Sequence, residues 1–175
     1  MGKIKAVLAT HPDSYLHTLL CAACCIGFFG FLCYGEFLLP DQESFIPSKH
    51  LSLADIWLDQ STAQLQLHIR IKHSKTDLFC EGANVVLGVT GQDICPVSAL
   101  LGYLGKRGRS PGPLFLLENG TPLRRCYFVS QIQSTLSSVG IHGSSFNGQY
   151  VRPSTSMLAG VALLLLSSTS TANQG

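Results

Sequence analysis

The sequence predicts an α+β domain that is mostly helical and contains a small antiparallel sheet of three strands. Its 175 residues are enough for one domain with a hydrophobic core and too few for two comfortable ones. Residues 64–72 alternate strictly between polar and apolar side chains, which is typical of a strand with one buried face. Elsewhere, apolar residues recur at the spacing of helix faces.

The first predicted element is a helix within residues 18–35, none of which is charged. Asp13 and Ser14 precede it as candidate N-cap residues, and Gly30 is its expected end. The segment approaches the length of about 20 apolar residues that spans a bilayer, so a membrane anchor over residues 19–39 is an alternative. Its three glycines and four cysteines, without a flanking Lys/Arg cluster, favour a buried helix of a folded domain.

Three strands are expected next in the chain. Residues 55–58 pair with the alternating strand at 64–72 across a turn, and residues 83–89 form the third strand after the turn at Glu81-Gly82. Lys75 therefore falls at the tip between the second and third strands.

Two helices are expected after the sheet. Pro96 suits the first turn of one helix, which glycines 105 and 108 should end. The other helix is predicted by an apolar stripe at Phe128, Ile132 and Leu136, and Gly140 should end it.

The domain is expected to span residues 1–160, followed at 161–175 by an apolar and then Ser/Thr-rich tail that should be disordered.

The net charge of +2 and a charged share of 13% are low for a DNA-binding domain. Basic residues nevertheless cluster locally. The clusters are Lys72 with Lys75, Lys106 with Arg107 and Arg109, and Arg124 with Arg125. Each cluster alone is typical of a solvated loop or helix end, and the presence of three on one small domain strengthens the alternative of a phosphate-binding face.

The chain has seven cysteines, an odd number, and no cleavable signal peptide is expected before them. This pattern predicts reduced thiols and a nuclear or cytoplasmic location. Cys21 and Cys24 have the spacing of a zinc-ligand pair, but no second Cys/His pair stands at suitable spacing. We therefore expect neither a metal nor another cofactor.

Several short strings occur in a specific order along the chain. They are Gly27-Phe28-Phe29-Gly30-Phe31-Leu32, Cys33-Tyr34-Gly35-Glu36, Ser74-Lys75-Thr76-Asp77, Ile94-Cys95-Pro96-Val97, Pro111-Gly112-Pro113-Leu114-Phe115 and Gln149-Tyr150-Val151-Arg152. In this order they resemble the catalytic domain of the tyrosine recombinases, the phage-integrase-like enzymes that cut and rejoin DNA. The resemblance is closest to the recombinases of DIRS-type and Crypton-type mobile elements, and it implies an integrase-like catalytic fold.

The resemblance implies roles for five positions. Lys75 matches the hairpin lysine that protonates the leaving oxygen, and Arg152 matches the second arginine that holds the scissile phosphate. Cys33 stands where the family has its first arginine, and Gln149 stands where it has a histidine. Glu36 matches the acidic residue that accompanies the first arginine. A thiol and a neutral amide cannot replace a guanidinium and an imidazole, so the family's chemistry is expected to be lost.

No tyrosine follows Arg152, so the sequence is expected to lack the nucleophile and to be incomplete at its C-terminus relative to the family. We therefore expect a remnant that binds DNA weakly and without strong sequence preference but does not cut it. Family recombinases assemble as tetramers, through a segment that is expected to be missing here. The alternatives are a small membrane-associated protein and an active recombinase whose end lies beyond this sequence. The expected DNA-binding residues are Lys72, Lys75, Arg124, Arg125 and Arg152.

Overall fold

A computed structural model describes residues 15–61, 63–73, 81–92 and 94–138. The elements in these residues are helix α1 (Tyr15–Phe29), helix α2 (Tyr34–Phe37), strands β1 (Ile56–Asp59), β2 (Gln66–Ile71) and β3 (Ala83–Gly88), and helices α3 (Pro96–Arg107) and α4 (Arg125–Ser138). A single 3₁₀ turn at Leu53–Asp55 precedes β1. The predicted α+β class with a three-stranded antiparallel sheet is confirmed.

Helix α1 is the centre of the hydrophobic core. Every residue from Leu19 to Gly27 is buried, and the helix packs along α3. A helix that is apolar on all sides is expected in such a place, because no face of it needs water. Over the described ranges, no helix has both the length and the apolar character needed to cross a bilayer.

The end of α1 sets the position of α2. The Leu32 N–H donates to the Gly27 carbonyl oxygen at 3.0 Å, and the Phe31 N–H donates to the Phe28 carbonyl oxygen at 3.3 Å. This pair of bonds is a Schellman motif, which needs a left-handed residue at the helix end. Phe31 takes that conformation, with φ of 52°, although glycine is preferred there. The chain thereby turns sharply and starts α2 only a few residues later.

The sheet is a meander in the order β1-β2-β3, with both pairs antiparallel. Leu67, Ile69 and Ile71 of β2 are buried, as the alternating pattern predicted. Strand β1 begins one residue later than expected because Asp55 belongs to the 3₁₀ turn. The Asp55 carboxylate accepts hydrogen bonds from the Ser52 N–H at 2.8 Å and from the Ser52 hydroxyl at 2.5 Å, which holds that turn.

Helices α3 and α4 complete the core. Pro96 occupies the first turn of α3, as predicted, and the helix continues to Arg107. The stripe of α4 formed by Phe128, Ile132 and Leu136 is buried, which confirms it as a core face. The candidate cap residues 13 and 14, the expected stop at Gly140 and the expected tail at 161–175 lie outside the described residues.

Candidate nucleic-acid interface

Helix α2 carries the Cys33 and Glu36 positions that the recombinase resemblance singles out. Cys33 is the N-cap residue, with an extended backbone and an exposed thiol. Its N–H donates to Glu36 Oε2 at 2.6 Å, and the Glu36 N–H donates to the Cys33 carbonyl oxygen at 2.9 Å. The Glu36 carboxylate thus satisfies an amide at the helix start, as the acidic member of a capping box does. Glu36 orients the Cys33 backbone, while the thiol faces solvent.

Tyr34 attaches α2 to the core and contacts Arg125 at the start of α4. The ring centroid of Tyr34 lies 5.7 Å from that of Phe128 and 6.0 Å from that of Phe37. Burial raises the pKa of the Tyr34 hydroxyl, although the positive charge of Arg125 opposes this shift. The guanidinium carbon of Arg125 lies 5.9 Å from the Tyr34 ring centroid, which is a cation–π contact. Arg125 is therefore held beside the helix that follows Cys33.

Arg124 is engaged in the fold. Its Nη1 donates to the carbonyl oxygens of Pro40, Asp41 and Glu43 at 2.8, 2.6 and 3.2 Å. The loop after α2 is also fastened by Asp41, whose Oδ1 accepts from the Cys126 N–H at 2.9 Å. Hydrogen bonds from the Cys126 side chain and backbone lower the pKa of the Asp41 carboxyl, and the charges of Arg125 and Arg124 add to this. Arg124 thus ties the start of α4 to residues 40–43.

Lys72 is engaged in a similar way just after β2. Its Nζ lies 2.5 Å from Asp55 Oδ2 and 2.5 Å from the Pro47 carbonyl oxygen. It also donates to the His50 carbonyl oxygen and to Ser52 Oγ, each at 3.4 Å. Only 20% of the Lys72 side chain is exposed, and Asp55 is buried. The expectation that Lys72 contacts DNA remains a prediction, but its ammonium group already has four partners inside the protein.

Arg107 is an important basic residue whose role the sequence pattern did not indicate. The side chain is buried and donates to the carbonyl oxygens of the loop that follows α3. The distances are 2.9 Å to Leu114, 3.2 Å to Gly108, 2.8 Å to Ser110 and 2.6 Å to Pro113. A basic residue before a loop rich in glycine and proline was the available signal, because such a loop leaves carbonyl groups without strand partners.

Lys75, Gln149 and Arg152, the remaining predicted site residues, lie outside the described residues. Strand β2 ends at Ile71 and β3 begins at Ala83. The structure therefore brings together Cys33 and Glu36 from the recombinase-like set.

Three of the described cations have no hydrogen bond or ion pair from the guanidinium to another described residue. They are Arg70, Arg109 and Arg125. Arg70 and Arg109 are exposed, whereas Arg125 is half-buried against Tyr34. A guanidinium that is oriented by a ring and keeps its donors open is suited to bind a phosphate oxygen.

Comparison of the chain with known protein families, with curated proteins and with solved structures finds no significant match.

Proposed function

We propose that this chain is a degenerate tyrosine-recombinase-like catalytic domain that binds duplex DNA weakly and does not cut it. The ordered strings of the sequence support the recombinase ancestry. The observation that carries the DNA-binding part is the position of Arg125, which lies over Tyr34 next to the Cys33 end of α2. Under this proposal, the Cys33 end of α2 corresponds to the place where the family binds the scissile phosphate, and Arg125 is an open cation close to it.

Under this proposal, the expected DNA-binding residues differ in how much each contributes to binding of the duplex. Arg125 is the principal phosphate ligand among the described residues, because the cation–π contact limits its rotamers before DNA arrives. Lys72 and Arg124 serve the fold, since moving either group to a phosphate breaks contacts with internal acceptors. Few phosphate contacts then form, and the binding is weak and sensitive to salt.

Loss of cleavage follows from two substitutions relative to the family. Cys33 supplies neither a positive charge nor a planar set of donors to a phosphate whose charge increases in the transition state. Removing one such donor costs about 10²–10³ in rate, and loss of a charged donor is expected to cost at least as much. Gln149 can donate a hydrogen bond but cannot transfer a proton as histidine does.

The test of DNA binding uses the full chain and a short labelled duplex, titrated by fluorescence anisotropy at several salt concentrations. Arg125→Ala should weaken binding about 5-fold and reduce the slope of log K against log salt by about one, because one phosphate contact is lost. Arg109→Ala is the matched control, since Arg109 is an exposed cation without the Tyr34 contact. It should leave both quantities nearly unchanged.

Two results would contradict the proposal. Equal effects of Arg125→Ala and Arg109→Ala would mean that binding is a diffuse charge effect without a site at α2. A covalent protein–DNA adduct on a nicked suicide substrate would show that the chain retains strand cleavage. Thermal unfolding of each variant, followed by circular dichroism, establishes that the proteins compared are folded.

A further inference from the structure

The sheet has one face in the core and one face toward solvent, and the solvent face carries an aromatic row. Trp57 of β1, His68 of β2 and Val86 of β3 are direct partners in the strand register. Trp57 is 42% exposed and Val86 is 49% exposed. The two exposed apolar side chains lie on either side of His68. Trp57 is the more informative of the two, because single exposed aliphatic residues are common on protein surfaces.

The Trp57 indole is held in place. Its centroid lies 5.1 Å from that of the His68 ring, and the two planes differ by 19°, so the rings are stacked. Cross-strand aromatic pairs of this kind stabilise a sheet and fix the rotamers of both residues. His68 Nε2 lies 3.9 Å from Asp59 Oδ2, which is beyond hydrogen-bond distance, so the stacked indole is the closer restraint on the imidazole. An indole that is already ordered loses little entropy when a planar ligand stacks on the face opposite His68.

A cation lies on the same face of the sheet. Arg70 is two residues after His68 on β2, hence about 7 Å along the strand. It is exposed, and its guanidinium has no hydrogen bond or ion pair within the described part of the chain. Its register partner on β3 is the exposed Asn84. An aromatic plane followed by a cation at this distance matches a nucleotide, which presents a planar base and a neighbouring phosphate.

We propose that this face of the sheet binds single-stranded DNA, with an unpaired base stacked on Trp57 and the adjacent phosphate on Arg70. A duplex cannot use the indole in this way, because both faces of each interior base are covered by its neighbours. A protein partner is disfavoured, because the row offers only two exposed apolar side chains and a stable interface buries about 800 Å² on each partner. The evidence for base stacking does not depend on the proposed function. The choice of DNA rather than RNA as the ligand does rest on the proposed function.

The chain contains a single tryptophan, so its fluorescence reports on Trp57 alone. Titration of the full chain with a short oligodeoxythymidine should quench this fluorescence in a saturable manner, and a duplex of equal nucleotide concentration should quench it much less. Base–aromatic stacking contributes about 1–3 kcal/mol per base, so Trp57→Leu should weaken binding of a labelled oligodeoxythymidine about 5-fold or more. Trp57→Phe should keep most of the affinity, because phenylalanine retains a stacking surface.

Two further variants test the geometry. Arg70→Gln should weaken oligodeoxythymidine binding and lower its salt dependence, because it removes the proposed phosphate contact. Phe31→Leu is the matched control for general hydrophobicity, since Phe31 is 79% exposed and follows α1 rather than belonging to a strand. It should leave the affinity unchanged.

The result that overturns the inference is the absence of saturable quenching, or equal oligodeoxythymidine affinity for the wild type and Trp57→Leu. Tighter binding of oligouridine than of oligodeoxythymidine also overturns it, because the ligand would then be RNA. Arg125→Ala separates this site from the proposed duplex site. It should weaken duplex binding and leave the fluorescence quenching by oligodeoxythymidine unchanged. The duplex site and the single-strand site can therefore each be disproved without the other.

Discussion

Cys33 is one of the two residues on which the proposed loss of strand cleavage depends, and its backbone is held by Glu36 at the start of α2. Glu36 still caps the helix start, and the Cys33 thiol is exposed rather than buried in the core. The arrangement therefore has room for a longer, charged side chain at this position. Tyr34 connects Cys33 with Arg125. It follows Cys33 directly in the sequence, and the Arg125 guanidinium lies over its ring.

Placing an arginine at position 33 should strengthen duplex binding. Cys33→Arg is expected to raise the affinity about 5-fold and to increase the salt slope by about one, because a second cation would lie close to that of Arg125. The anisotropy titration of labelled duplex measures both quantities. Cys33→Ser is the neutral control and should match the wild type. An unchanged salt slope in Cys33→Arg would place the phosphates away from α2 and contradict the proposed interface.

At the scale of elements, the junction of α1 and α2 combines two unusual backbone requirements. A Cβ atom on Gly30 would lie 2.7 Å from the Ile26 carbonyl oxygen, so glycine is required there by close approach. Phe31 occupies the left-handed position of the Schellman motif, where a residue other than glycine is strained by about 1–2 kcal/mol. The junction sets the position at which Cys33 caps α2. It does so although Phe31 is poorly suited to the left-handed conformation that it takes there.

Phe31→Gly should therefore stabilise the protein. The relief of strain exceeds the extra conformational freedom of glycine in the unfolded chain, so the free energy of unfolding should rise by about 0.5–1 kcal/mol. Little packing is lost, because Phe31 is 79% exposed. Urea unfolding followed by circular dichroism measures the change. Phe31→Ala is the control, since alanine keeps the left-handed strain, and it should lie close to the wild type. Equal stability of Phe31→Gly and Phe31→Ala would mean that the strain is negligible.

At the scale of the whole molecule, the long connection between α2 and the sheet is held at both ends by basic side chains. Arg124 binds its first part through three carbonyl oxygens, and Lys72 binds its last part through Asp55 and neighbouring acceptors. Between them, Glu43 Oε2 lies 2.6 Å from Lys49 Nζ and 3.2 Å from His50 Nε2. Several carbonyl oxygens of the connection thus accept hydrogen bonds from side chains of distant elements, while Glu43 links residues within it.

Lys72→Met should lower the stability of the protein without a direct effect on DNA binding. Removing the ammonium group leaves the buried Asp55 carboxylate without its cation, and we expect a loss of about 2–3 kcal/mol in the free energy of unfolding. Urea unfolding measures the loss. Arg70→Met, an exposed cation without an acid partner among the described residues, is the control and should change stability by less than about 0.5 kcal/mol. A Lys72→Met variant of normal stability and reduced duplex affinity would return Lys72 to the DNA interface.

Much of the fold could be predicted because the relevant signals are periodic and local. The alternation in β2 and the stripe of α4 each depend on which side chains face the core, and the sequence records this directly. The short helix α2 and the 3₁₀ turn before β1 could not be predicted, since elements of one turn show no period. The hydrogen bond between the Cys33 N–H and the Glu36 carboxylate is also local, since the two residues are three positions apart.

By itself, the sequence determined the α+β class, the order of the longer helices and the strands, and the presence of several basic clusters. Only the tertiary structure decided what each cation does. Arg124 donates hydrogen bonds to carbonyl oxygens more than eighty positions away in the sequence. Arg107 donates to the carbonyl oxygens of the loop after α3, and Arg125 instead makes a cation–π contact with the Tyr34 ring. These differences depend on which acceptors the fold brings within about 3 Å of a donor, and spacing along the chain does not contain that information.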